Sequence, residues 1–93
     1  MRLKPEEIKI IKESVLRLDP QAHIYLFGSR VDQSREGGDI DLLVLSSILK
    51  SIDTIEILKN IFEEMEEQKI DILISSDTKD PFVQIALEKG IEL

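Results

Sequence analysis

Two short apolar runs, residues 24–27 and 42–45, each carry a chemically distinctive element at one end. Where those elements sit constrains the fold more than any other feature of the chain. The first run leads into Gly28-Ser29-Arg30, a small-residue turn whose backbone can approach an anion closely. The second is preceded by Asp39-Ile40-Asp41. Strand residues i and i+2 point the same way, about 6.6 Å apart along the chain, so the two carboxylates share one face. The turn closes its strand, whereas the acid pair opens its own. Both reach one edge of a sheet only if the two strands run antiparallel.

A third acid extends the constraint. Asp71 stands near the start of an apolar run over residues 69–74, alternating with Ile70 and Ile72. To join Asp39 and Asp41 it needs a strand parallel to theirs, and parallel neighbours require a crossover. Residues 53–68 read as that crossover helix: Asp53 and Glu56 make a capping-box-like start, and Ile55, Leu58, Ile61, Phe62 and Met65 keep helical spacing. A helix over 4–18 precedes the first strand (23–27), with Pro5 in its first turn and Ile8, Ile11, Val15 and Leu18 on one stripe. Asp19-Pro20 ends it. Residues 29–33 suit a short helix and 36–38 a loop. Asp80-Pro81 opens a last helix as N-cap and first helical residue, and Gly90 stops it, with Ile91 folding back on the last turn. The expected fold is α/β (α+β): a small mixed sheet of three or more strands, antiparallel then parallel, with helices mainly on one face.

At 93 residues the chain is expected to form one domain over 1–93. It has no cysteine, which excludes a disulfide scaffold and a thiolate zinc site. No run approaches a membrane span, and residues 1–18 lack a signal pattern, so a cytoplasmic protein without membrane contact is expected. The net charge of −7 argues against a broad nucleic-acid surface. It leaves nucleotide binding open, because a metal ion inverts the local sign.

Asp39, Asp41 and Asp71 gathered at one edge would repel one another without a cation, so a divalent metal beside the phosphate-compatible turn is expected. Gly28 admits a phosphate, Ser29 offers a hydroxyl and a backbone N–H, and Arg30 can pair with phosphate bidentately. Asp71 is the candidate to deprotonate or orient an attacking hydroxyl. Each element has a bland alternative: strand-end acids beside a Gly-Gly loop, an ordinary capped turn, a surface arginine. Arg35 is a weaker phosphate or partner contact. His23 reads as a strand-edge residue, Tyr25 as packed, and Glu63, Glu64, Glu66 and Glu67 as a solvated face. Leu43, Leu45 and Leu73 share parity with the aspartates and read as an apolar patch rimmed by acids, where a partner docks unless the last helix covers it.

Together, Gly28-Ser29-Arg30, Asp39-Ile40-Asp41-Leu42-Leu43-Val44 and Asp71 within residues 69–73 resemble the minimal nucleotidyltransferases of the DNA polymerase beta-like superfamily. The resemblance spans nearly the whole chain, to the ending at 82–93. It implies that Asp39, Asp41 and Asp71 are catalytic and bind metal, with two Mg²⁺ ions expected, and that Gly28 and Ser29 contact the triphosphate of ATP. Many members of this class are antitoxins encoded beside a HEPN-domain toxin, and some transfer AMP to a tyrosine of that toxin. The resemblance therefore implies a HEPN toxin as partner, in a hetero-oligomer or beside a homo-oligomer. A non-catalytic antitoxin that masks its toxin and a stand-alone transferase for a small alcohol are the alternatives. The sequence departs from the common Gly-Ser-Arg-Ala-Arg-Gly pattern: Asp32 replaces the second Arg, Gln33 the Gly, and Gly38 the Ser often found before the first Asp.

Overall fold

In the computed structural model, which describes residues 3–28 and 39–93, seven elements follow one another. They are α1 (Pro5–Leu16), β1 (His23–Phe27), β2 (Ile40–Leu45), α2 (Asp53–Phe62), β3 (Ile70–Ser75), α3 (Pro81–Lys89) and β4 (Ile91–Glu92). The four strands form one sheet in the order β3-β2-β1-β4. β1 runs antiparallel to β2 and β2 parallel to β3, as the positions of the turn and the acids require. The short helix expected at 29–33 and the loop at 36–38 lie outside the described residues.

Alternation along the strands sorts side chains into two layers. Ile24 and Leu26 of β1, Ile40, Leu42 and Val44 of β2 and Ile70 of β3 face α1 and α2, closing around Ile11, Val15, Ile57 and Ile61. On the opposite face Leu43 is fully buried against Val83 and Ala86 of α3, with Tyr25, Phe27, Leu45 and Leu87 around them. Two helices therefore cover one face and the third covers part of the other. α3 thus covers Leu43, the alternative expected for this face, while Leu73 stays exposed. Ile48, Ile52 and Ile55 are the more exposed aliphatics, beyond the C-terminal end of β2 and thus at the far edge from Asp41.

Four local expectations shift. The first helix ends at Leu16 rather than Leu18, with the backbone N–H of Leu18 and of Asp19 both donating to the Val15 carbonyl. The crossover helix ends at Phe62 rather than near Gln68. Glu63, Glu64, Glu66 and Glu67 would crowd carboxylates onto the negative end of a longer helix, and all four are exposed here. Asp53 is not the N-cap; its carboxylate accepts from the Lys50 backbone N–H at 2.7 Å while its own N–H donates to the Lys50 carbonyl at 2.8 Å. It thus closes the turn leading into α2 as the first helical residue, with Ile52 in the cap position. The buried stripe of α2 runs through Ile57 and Ile61, leaving Ile55 exposed.

The chain end is the larger surprise. Ile91 does not merely fold back but pairs as β4 with Leu26, Glu92 pairs with Tyr25, and the Leu93 N–H reaches the Ile24 carbonyl at 2.9 Å. Gly90 makes this possible, because a side chain there would press on the Ala86 carbonyl and lie 2.9 Å from that of Leu26. His23 at the start of β1 bonds Glu92 at 2.8 Å, the strand-edge role expected of it. Asp80 caps α3 as expected, accepting from the N–H groups of Phe82 at 2.8 Å and Val83 at 3.3 Å.

Far from the acids, the turn after α1 is pinned to the loop after β2. Buried Ser46 donates to Asp19 at 2.6 Å and accepts from the Leu49 N–H at 2.9 Å, while Asp19 accepts from the Gln21 N–H at 3.0 Å. Among the described residues, no helix is long and apolar enough to cross a membrane.

Candidate active site

The acids and the turn meet because of register. Phe27 pairs with Asp41 across the antiparallel ladder, and Asp41 pairs with Asp71 across the parallel one. These three residues form a single row across the sheet, and neighbours in a row point to the same face. That face is the one α3 partly covers. Asp39 lies two residues before Asp41 on the same side, so the structure brings Asp39, Asp41 and Asp71 to one edge beside Gly28. Ser29 and Arg30 lie outside the described residues.

Gly28 shows why the turn begins with glycine. Its φ is +77°, a left-handed conformation that side chains disfavour, and a Cβ there would collide with the Asp41 carboxylate. The backbone at the end of β1 is thus pressed against the central acid, leaving no room between them for a side chain. A negatively charged ligand reaching this turn meets backbone and acid together, which only a bridging cation can reconcile.

The electrostatics point the same way. Strands lie about 4.8 Å apart, so paired carboxylates in one row repel. Asp41 is half-buried, and burial raises its pKa above the ordinary carboxylate value, with further upward pushes from Asp71 and then Asp39. Lys69 acts against this rise. Its ammonium lies 3.4 Å from Asp39, two residues along the register from the Asp41–Asp71 pair. Sequence reasoning missed Lys69, although its parity with Asp71 was the available signal.

Tested against a divalent cation, the donor set fits in chemistry. Three carboxylates and no nitrogen or sulfur ligand suit a hard ion such as Mg²⁺. Among the described residues, no three such side chains already stand close enough to clasp one ion. The reason is visible in Asp39, which is drawn to Lys69, and in the mutual repulsion that separates uncompensated acids. Asp41 and Asp71, adjacent in the row, are the residues placed to begin such a site, with Asp39 completing it.

The groove beside Gly28 was also missed. Phe27 and Phe82 meet edge to face, with ring centroids 5.9 Å apart and planes at 83°. Its only sequence trace is that Phe82 follows the Asp80-Pro81 start of α3, which does not reveal the strand it abuts.

A comparison with curated proteins finds no match to the chain. A family model described as "Polymerase beta, Nucleotidyltransferase" matches residues 9–93, which takes in every strand, the glycine turn and all three aspartates. The chain therefore belongs to the polymerase beta-like nucleotidyltransferase family, with the mixed α/β fold described above.

Proposed function

We propose that this domain is a Mg²⁺-dependent adenylyltransferase that moves AMP from ATP to a tyrosine hydroxyl of a HEPN-domain toxin, and so acts as its antitoxin. The observation that carries the reading is the row Phe27–Asp41–Asp71 beside Gly28, which sets an acidic cluster against a backbone with no side chain in the way. Asp39, Asp41 and Asp71 would hold the metal, which when bound neutralises the triphosphate and the charge developing in transfer. Gly28 admits the phosphates, with Ser29 and Arg30 following it in sequence. Asp71 is the most exposed of the three acids and is open to an incoming acceptor. It takes the proton of the acceptor hydroxyl as that oxygen bonds to the α-phosphorus. The bond from the α-phosphorus to the bridging oxygen breaks, and pyrophosphate leaves with the electron pair. A net charge of −7 favours a basic partner surface, as a toxin that grips RNA would present.

The test is co-expression with a HEPN protein encoded beside it, followed by intact-mass measurement of that protein. Addition of AMP mass to the HEPN chain, lost in Asp41→Asn, is the expected result. A stable complex with no mass gain in Mg²⁺ and ATP would instead make the domain a masking antitoxin. Absence of both a complex and a modification would defeat the toxin assignment.

A further inference from the structure

We propose that the nucleobase of the bound nucleotide lies in the groove between the end of β1 and α3, stacked on Phe82, and that this groove reads the base by its flat face rather than its edges. The inference rests on the nucleotide-binding reading above.

Three observations converge on it. The first is position. Phe27, Gly28, Phe82, Ile85, Ala86 and Lys89 line a groove of about 220 Å³, so the wall that begins it is the same glycine turn that touches Asp41. A nucleotide whose phosphates meet Gly28 and the acids has its base within a few bonds of this opening. The groove also lies on the face to which Asp41 and Asp71 point, because Phe27 shares their row.

The second is size and shape. Pockets that engulf drug-sized ligands run from about 300 to 1,000 Å³, so this groove takes a single ring system and not a whole nucleotide. That matches a ligand whose charged part lies outside, on the metal site. Phe82 is 53% exposed and Phe27 meets it edge to face, which props the ring while leaving ring surface uncovered. Ile85, 55% exposed one turn later on α3, extends the apolar floor. Exposed aromatic and aliphatic side chains held rigidly beside an anion site are what a stacking platform requires.

The third is chemistry. Among the described residues, Lys89 is the cationic side chain of the lining, and it can offset the negative charge of a bound nucleotide. The rest of the described lining is Phe27, Gly28, Phe82, Ile85 and Ala86, whose side chains carry no hydrogen-bond donor or acceptor. Strong discrimination between bases needs polar groups that are left unpaired by the wrong base. Stacking accepts any base, because each has a π-face. The described lining therefore offers a stacking face with little preference between bases, adenine and guanine included.

Calorimetric titration of the protein with Mg²⁺–ATP, Mg²⁺–GTP and Mg²⁺–tripolyphosphate tests this, with Phe82→Ala, Phe82→Trp and Asp41→Asn as variants. Phe82→Ala should weaken ATP by about 5- to 150-fold, the range for loss of one stacking contact, and leave tripolyphosphate unchanged. Phe82→Trp should retain ATP affinity, and ATP and GTP should bind within about tenfold of each other. Saturation of the phenylalanine ring protons should transfer to the adenine H2 and H8 protons in the wild type and fall sharply in Phe82→Ala. Unchanged ATP affinity in Phe82→Ala, with loss of both ligands in Asp41→Asn, overturns the groove while the nucleotide site stands. Equal loss of ATP and tripolyphosphate in Phe82→Ala also overturns it. A wild-type protein that binds neither ligand with Mg²⁺ overturns the nucleotide reading, and the groove assignment with it.

Discussion

Asp41→Asn should make this domain more stable at neutral pH, because the central acid of the row is held ionised against its surroundings. Burial and the neighbouring Asp71 and Asp39 raise its folded-state pKa. The folded state thus binds its proton more tightly than the unfolded chain, whose aspartates titrate near 3.9. As pH rises through the window between that value and the raised one, the unfolded state holds fewer protons and stability falls. Above the window the ionised acid is a standing cost, which Asn removes. Two unit charges about 5 Å apart repel by roughly 0.8 kcal/mol in water and about 3 kcal/mol at an effective dielectric of 20. Asp71 is exposed, so the lower half of that range applies, and salt weakens it further. A gain of about 1 kcal/mol corresponds to a rise in Tm of roughly 4–8 °C for a domain of this size. Thermal melts followed by circular dichroism at pH 7 and low ionic strength measure it directly. The gain should shrink in high salt and fade as the pH drops through the raised pKa of Asp41 towards the ordinary aspartate value, where the Asp41 carboxyl takes up its proton. Adding Mg²⁺ should raise the wild-type Tm more than that of the variant. An Asp41→Asn protein that melts at or below the wild type at pH 7 and low salt would refute the repulsion argument.

Other perturbations separate the roles of neighbouring residues. Gly28→Ala places a methyl group at φ +77° and against the Asp41 carboxylate; a loss of roughly 1–3 kcal/mol in urea unfolding is expected from backbone strain, together with weaker Mg²⁺–ATP binding. Asp71→Asn should lower the single-turnover rate far more than it weakens ATP affinity if Asp71 acts on the acceptor hydroxyl; equal losses would reassign it as a metal ligand alone. Ser46→Ala removes the hydroxyl bonded to buried Asp19 at 2.6 Å, and should cost roughly 1–3 kcal/mol by denaturant titration, with nucleotide affinity intact because the pair lies at the far edge of the sheet.

The order of the elements was written in local patterns. The β1 span of 23–27 and the Asp80-Pro81 start of α3 match the structure, because a short apolar run and a capped proline depend only on their own neighbours. The sheet directions were legible too, since a turn that ends one strand and acids that begin two others share an edge in only one arrangement. The end of α2 was less legible: helical spacing continues to Met65, and the electrostatic penalty of four glutamates at a helix terminus competes with it without leaving a break in the pattern.

Contacts between distant segments were settled by packing alone. β4 is two residues long and gains its identity from β1, because an isolated pair of residues has no strand preference of its own. Leu43 looked open from strand alternation, yet α3 covers it, a matter of where a later helix lands and not of parity. The match of Phe27, Asp41 and Asp71 in one row required the true register, and so did the approach of Lys69 to Asp39. Local patterns were enough to mark which side chains could do chemistry and which edge of a sheet they must share. Folding alone decided their register, their neighbours and the groove beside Gly28, because those depend on packing between segments that no local pattern encodes.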